Sequence, residues 1–157
     1  MSHYEPWNPD RAADIIAEFA GIEGPAMPIL HEIQHTFGFV PDAVIPMIAD
    51  ALNTSRAEVF GTVSFYHDFR RELPGRHVVK LCRAEACQAA GGDRLMERAE
   101  QRLGVKLGET TPDRRVTIEP IYCLGLCATA PSAMLDDRMI ARLDEQKLDA
   151  LLTEAQA

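Results

Sequence analysis

Leu30, Ile33 and Phe37 fall on one side of a helical turn, and Leu95, Ala99 and Leu103 repeat that spacing far along the chain. A recurrence every three to four residues marks amphipathic helices, whereas neighbouring β-branched residues such as Val78 and Val79 mark strands. By this reading the chain is helical up to about residue 70. Residues 1–9 read as a loose tail, and Asp10 is placed to cap a helix through "RAADIIAEFA" that stops at Gly21. A second helix is expected over 25–37, ended by Gly38, and a third over 42–52. Ser55 and Glu58 form a capping-box pattern opening a short helix into "VFGTVSF".

The pattern then changes. "LPGRHVVKLC" reads as a turn and a strand, "DRLMERAEQRLG" as an amphipathic helix, and "RVTIEPIYC" as a second strand. "SAMLDDRMIARL" reads as a hairpin turning at Asp136-Asp137, and Asp144 is placed to cap a last helix carrying Leu148, Leu151 and Leu152. The expected fold class is α+β: a helical subdomain over 1–74 and a small α/β domain over 75–157, divided within "RRELPGR".

Composition narrows the function classes. At 46% hydrophobic and 25% charged, the chain is ordinary for a globular protein. A net charge of −8 leaves no basic stripe for nucleic acid. No apolar run approaches the ~18 residues of a membrane span. "MSHYEPWNPDRAAD" lacks a basic-then-apolar signal segment, so a cytoplasmic setting with reduced or metal-bound cysteines is expected.

Those cysteines number four, and they come in two pairs. Cys82 and Cys87 have four residues between them, Cys123 and Cys127 three, and each pair follows a predicted strand. Loops at one end of a sheet could bring all four sulfurs together, and thiolates so gathered need a metal. The wide spacings suit an iron–sulfur cluster, although zinc, or a disulfide or independent thiols, stay open. Gly125, between the second pair, would let backbone amides approach sulfur. Arg83, between the first pair, is either a donor to the cluster or simply an exposed side chain.

The Cys82-x4-Cys87 spacing, followed by Cys123-x3-Cys127 in "YCLGLCATAP", resembles the thioredoxin-like [2Fe–2S] ferredoxin family. That family includes the E subunit of NADH:quinone oxidoreductase. "ILHEIQHTFGFVP" and "EVFGTVSFYHDF" look like its helical extension, so the resemblance covers roughly residues 12–153. Within the family, "CRAEACQAAGG" and "FYHDFR" look most like the gamma subunit of soluble NAD-dependent molybdenum formate dehydrogenase. Diaphorase subunits of NAD-linked hydrogenases share most of these features. The resemblance implies that Cys82, Cys87, Cys123 and Cys127 ligate one [2Fe–2S] cluster in a thioredoxin-like domain. It also implies a flavin-bearing NADH-binding partner subunit whose FMN exchanges single electrons with the cluster. A larger iron–sulfur or molybdenum-cofactor subunit would do the substrate chemistry, and no catalytic acid, base or nucleophile is expected in this chain. Thioredoxin-like folds often hold a cis-proline before a strand, and Ala130-Pro131 is the matching position. The rival from another class is a zinc-stabilised interaction module.

Two features compete with this reading. His31-Glu32-x-x-His35 has the spacing of a zinc-peptidase helix. The third ligand of the longer signature would fall on Pro41, although a distant residue such as Glu58 could serve in another class. The family pattern of Ile/Val-Gln-x-x-x-Gly, met by Ile33, Gln34 and Gly38, makes the histidines bystanders. Phe60, Phe65, Tyr66 and Phe69 crowd one short stretch, and are expected either to pack between subdomains or to dock a partner. His67 and Asp68 beside them read as ordinary polar neighbours.

Overall fold

Trp7 packs edge-on against Phe37, with ring centroids 5.0 Å apart. This contact anchors the start of the chain in the computed structural model, which describes residues 4–157. The stretch expected to be a tail is therefore fixed from Tyr4 onward, and the Glu5 amide donates to the Thr36 carbonyl at 2.8 Å. The first helix also starts earlier than expected. α1 spans Pro9–Phe19 and its cap is Asn8, whose side chain accepts from the Asp10 and Arg11 amides. Pro9 suits the first helical position because its missing N–H would have no intrahelical partner there.

α2 (Ala26–Phe37) ends on Gly38, which takes a left-handed conformation with φ 84°. A Cβ at Gly38 would lie 2.7 Å from both the Tyr4 ring and Leu73, so only glycine fits. α3 covers Val44–Ala51, shorter at both ends than expected. α4 (Arg56–Phe65) opens on the capping box: Ser55 accepts from the Glu58 amide, and the Glu58 carboxylate takes the Ser55 amide at 2.9 Å. Ile15, Ile29, Leu30, Ile33 and Ile48 are fully buried in the core these helices share. Each such side chain contributes roughly 1.5–3 kcal/mol of burial.

The chain divides into two compact units, one ending at Leu73 and the other beginning at Pro74. The second unit is built on a four-stranded mixed sheet of order β2-β1-β3-β4. β1 (His77–Cys82) and β2 (Val116–Ile121) pair in parallel, with Cys82 opposite Ile121. β3 (Ala133–Leu135) runs antiparallel to β1, and β4 (Arg138–Ile140) pairs with β3 through a hairpin turning at Asp136. A short α5 (Glu85–Ala89) and then α6 (Gly92–Leu103) form the crossover between the parallel strands. α7 (Glu145–Gln156) starts on Asp144, whose carboxylate accepts the Lys147 amide at 2.8 Å.

Val79, Leu81, Val116 and Ile118 face a core completed by Leu95 and Ala99 of α6 and by Leu148 and Leu152 of α7. Leu152 is fully buried, and its truncation to alanine would cost roughly 2–5 kcal/mol. Arg98 forks onto Asp149 at 3.0 and 2.7 Å, fastening α6 to α7. Among the described residues, no helix is long and apolar enough to cross a membrane.

Candidate metal centre

Parallel pairing decides where the cysteines go. Neighbouring strands that run the same way release their following loops at the same end of the sheet. Cys82 is the last residue of β1, and Cys123 follows β2 by two residues. The Arg83 amide donates to the Ile121 carbonyl at 2.8 Å, so the two exits stay in register for one residue more. α5 then carries Cys87, and Cys127 opens a single 3-10 turn that runs to Thr129.

The two pairs differ in exposure. Cys82 and Cys87 are buried, whereas Cys123 and Cys127 are exposed, and no disulfide joins any of them. The outer sulfurs lie 3.5 Å apart. Gly125, at φ 76°, turns its amide to the Cys123 sulfur at 3.3 Å. Cys123 itself holds φ 96°, a left-handed conformation that a residue with a side chain adopts at a cost of about 1–3 kcal/mol. Backbone strain of this kind collects at working sites.

Electrostatics tie the four thiols into one neighbourhood. Burial pushes the Cys82 thiol up, but the Ala84 amide, Cys87, the Cys123 amide and Ser132 together outweigh it, and its pKa is lowered. The Cys127 thiol is pushed up by its hydrogen bond with Cys123, then by the charge of Cys123, by partial burial, and by the charges of Cys87 and Cys82. Four sulfurs that feel one another's charge are destabilised as bare thiolates and are suited to cations.

Ser132 was not visible in the cysteine spacing. It is buried, its carbonyl accepts the Cys82 amide at 3.1 Å, and its hydroxyl lies 3.5 Å from the Cys87 sulfur. It follows Pro131, and the Ala130-Pro131 bond is cis. Gly92 supports the site from below. A Cβ there would stand 2.7 Å from the Cys87 carbonyl oxygen, so α6 can start against the inner cysteine loop only with glycine.

Arg83, expected as either a donor to the cluster or an exposed side chain, is half-buried. Lys106 and the Leu107 amide hold Glu100 of α6 below the usual carboxylate range, and the Arg83 charge adds a smaller pull. The Arg83 Nε is buried without a hydrogen-bond partner.

The histidine motif resolves into packing. Ile33 is fully buried. Gln34 clamps the 68–70 segment, donating to the Asp68 carbonyl at 2.7 Å and accepting the Arg70 amide at 2.6 Å. His31 rests on the Phe69 ring at 5.1 Å, and His35 points to Glu32 at 3.6 Å. Among the described residues, no three His, Cys, Asp or Glu side chains gather around a single ion. The aromatic stretch splits: Phe69 joins the helical core, while Phe60, Phe65 and Tyr66 are exposed. α4 buries only Val59 and Val63, which leaves its aromatic positions outside.

Residues 12–156 match the thioredoxin-like [2Fe–2S] ferredoxin family. The chain belongs to that family. This ferredoxin is 36% identical over 137 residues to the E subunit of NADH-quinone oxidoreductase from Pseudomonas aeruginosa, covering 87% of its own length and 74% of the relative's. It is 31% identical over 132 residues to the HndA subunit of the NADP-reducing hydrogenase from Solidesulfovibrio fructosivorans, covering 84% and 77% of the two chains. Among solved structures, the air-oxidised NAD+-reducing [NiFe]-hydrogenase superposes with a TM-score of 0.70 at 25% identity. That match takes in 83% of the ferredoxin but only 22% of the hydrogenase chain. The cofactor that the family supports, a [2Fe–2S] cluster, suits the donor set: two buried thiols, two exposed ones, and amides directed at sulfur.

Proposed function

We propose that this ferredoxin is a non-catalytic electron-transfer subunit carrying one [2Fe–2S] cluster on Cys82, Cys87, Cys123 and Cys127. The observation that supports the reading is that both cysteine pairs lie in the loops leaving one end of a parallel strand pair, close enough for Cys82 and Cys87 to act electrostatically on Cys127. When bound, the cluster supplies one-electron redox chemistry. The chain's own part is to hold the four sulfurs, screen the inner pair from water and leave the outer pair accessible. Amide donors at Cys82 and Cys123 stabilise negative charge on sulfur, which favours the reduced state.

The electron partner in this reading is the FMN of an NADH-binding subunit in the same cytoplasmic complex. The names of the relatives favour NADH-quinone oxidoreductase and NAD(P)-linked hydrogenase complexes. "CRAEACQAAGG" and "FYHDFR" support the finer assignment to an NAD-dependent formate dehydrogenase, whose molybdenum cofactor would lie in a larger subunit of the complex. The exposed rings of Phe60, Phe65 and Tyr66 suit a docking surface for the flavin subunit. The Arg71 guanidinium, 5.2 Å from the Phe60 ring centroid, gives that patch a charged rim.

Anaerobic purification with whatever subunits accompany the chain tests this. The expected result is a brown protein with broad visible absorption, an EPR signal that appears only on reduction, and a co-purifying flavoprotein. A colourless protein holding stoichiometric zinc would refute it. A molybdenum subunit among the companions would select the formate dehydrogenase assignment, and a quinone- or hydrogen-linked partner would select the alternatives.

A further inference from the structure

Beyond the four cysteines, one polar side chain addresses the inner sulfurs. Ser132 is 2% exposed, and its Oγ lies 3.5 Å from the Cys87 Sγ, with Cys82 also in hydrogen-bonding reach. A buried hydroxyl with no acceptor costs several kcal/mol in an apolar setting, so its proton must go somewhere. In the free protein the direction is open, because serine and thiol each carry a hydrogen. Metal ligation removes the thiol protons. The hydroxyl hydrogen is then the only one left in the contact, and the direction is fixed: serine donates and sulfur accepts.

We propose that Ser132 is a positioning residue for the cluster, donating its hydroxyl hydrogen to the Cys87 sulfur and biasing the bound site toward its reduced form. This rests on the cluster assignment above. Two further features hold the serine in place. Its carbonyl accepts the Cys82 amide at 3.1 Å, so Ser132 grips the main chain of one inner ligand while addressing the sulfur of the other. It also leads directly into β3, which pairs with β1 through Leu81 and Ala133, so its position is set by the sheet. A hydrogen bond to a ligand sulfur stabilises the extra negative charge of reduction more than it stabilises the oxidised state.

The test compares Ser132→Ala and Ser132→Thr with the unaltered chain in the intact complex, reading redox titration and exchangeable-proton coupling by pulsed EPR in heavy water. The alanine variant is expected to keep its iron, to lower the reduction equilibrium constant about threefold to tenfold, and to lose one exchangeable coupling. That fall corresponds to about 30–60 mV for one electron. Threonine, which keeps the hydroxyl, is expected to restore both readouts. Cluster loss in alanine with a wild-type potential in threonine also supports the role. An unchanged potential and coupling in the alanine variant, or equal shifts in both variants, would overturn it. If the unaltered chain holds no iron, the cluster assignment fails first, and the two failures are distinct.

Discussion

The main-chain N–H of Cys123 is directed toward the sulfur of Cys82 and helps to lower its pKa, linking the two cysteine loops. Replacing Cys82 with alanine removes the sulfur at which the Ala84 and Cys123 amides are directed. In metal-free protein this should cost roughly 1–3 kcal/mol, because buried donors are left unpaired. Cys127→Ala, at the exposed rim, should leave metal-free stability nearly unchanged, yet both variants should lose bound iron. Denaturant unfolding with iron analysis checks the contrast. Equal destabilisation by the two would contradict the inner–outer asymmetry.

Gly92 and Gly125 make opposite demands on a methyl group. Gly92→Ala would drive a Cβ into the Cys87 carbonyl, and overpacking of this kind costs about 1–3 kcal/mol. Gly125→Ala meets nothing within 4 Å but must hold φ 76°, a penalty of roughly 1–2 kcal/mol. Gly92→Ala should therefore lower the melting temperature of the metal-free protein at least as far. Iron content should fall in both variants. Full iron loading of Gly92→Ala would show that α6 can move away without disturbing Cys87.

The helical unit should weaken in acid through Glu58. The Thr54 hydroxyl, then the Ser55 amide and hydroxyl, hold the Glu58 carboxyl down at about 2, against an ordinary 4.5. Because the folded value is the lower one, the stabilisation is complete above pH 4.5 and drains away as pH falls toward 2. Trp7, the chain's only tryptophan, packs inside this unit and reports its unfolding by fluorescence. Glu58→Gln should be less stable than the unaltered chain at neutral pH and show a flatter pH profile in that window. An identical profile would remove the capping box from the acid response.

Phe65, 73% exposed, stacks edge-on with Tyr66 at 5.1 Å. Phe65→Glu should leave the melting temperature and the visible spectrum unchanged, since nothing buried is lost. Affinity for the flavin subunit should fall at least tenfold, about 1.4 kcal/mol, because interface aromatics carry a large share of binding energy. Surface plasmon resonance against that subunit reads this directly, and unchanged affinity would turn attention to another face.

Much of this architecture can be read from residue order. The Ser55–Glu58 cap, Gly38, the Asp136 turn and Asp144 all act through neighbours a few residues away, so their signatures are local. That both cysteine pairs leave the same end of the sheet was foreseeable, because each pair follows a strand and the two strands pair in parallel. What escaped was non-local. Ser132 reaches Cys87 only once β3 lies beside β1. Trp7 becomes structural through Phe37, thirty positions on. The Arg83 charge acts on Glu100 of α6, a partner that its place between two cysteines does not reveal.

The same-way course of β1 and β2 obliges the chain to return to the far end of the sheet before β2 can begin. The segment from Gly104 to Arg115 makes that return and lies along β2, the Gly108 amide donating to the Ile118 carbonyl at 2.7 Å and the Thr111 amide to the Val116 carbonyl at 2.8 Å. It thereby covers backbone groups that an edge strand would otherwise leave open to pairing with another chain.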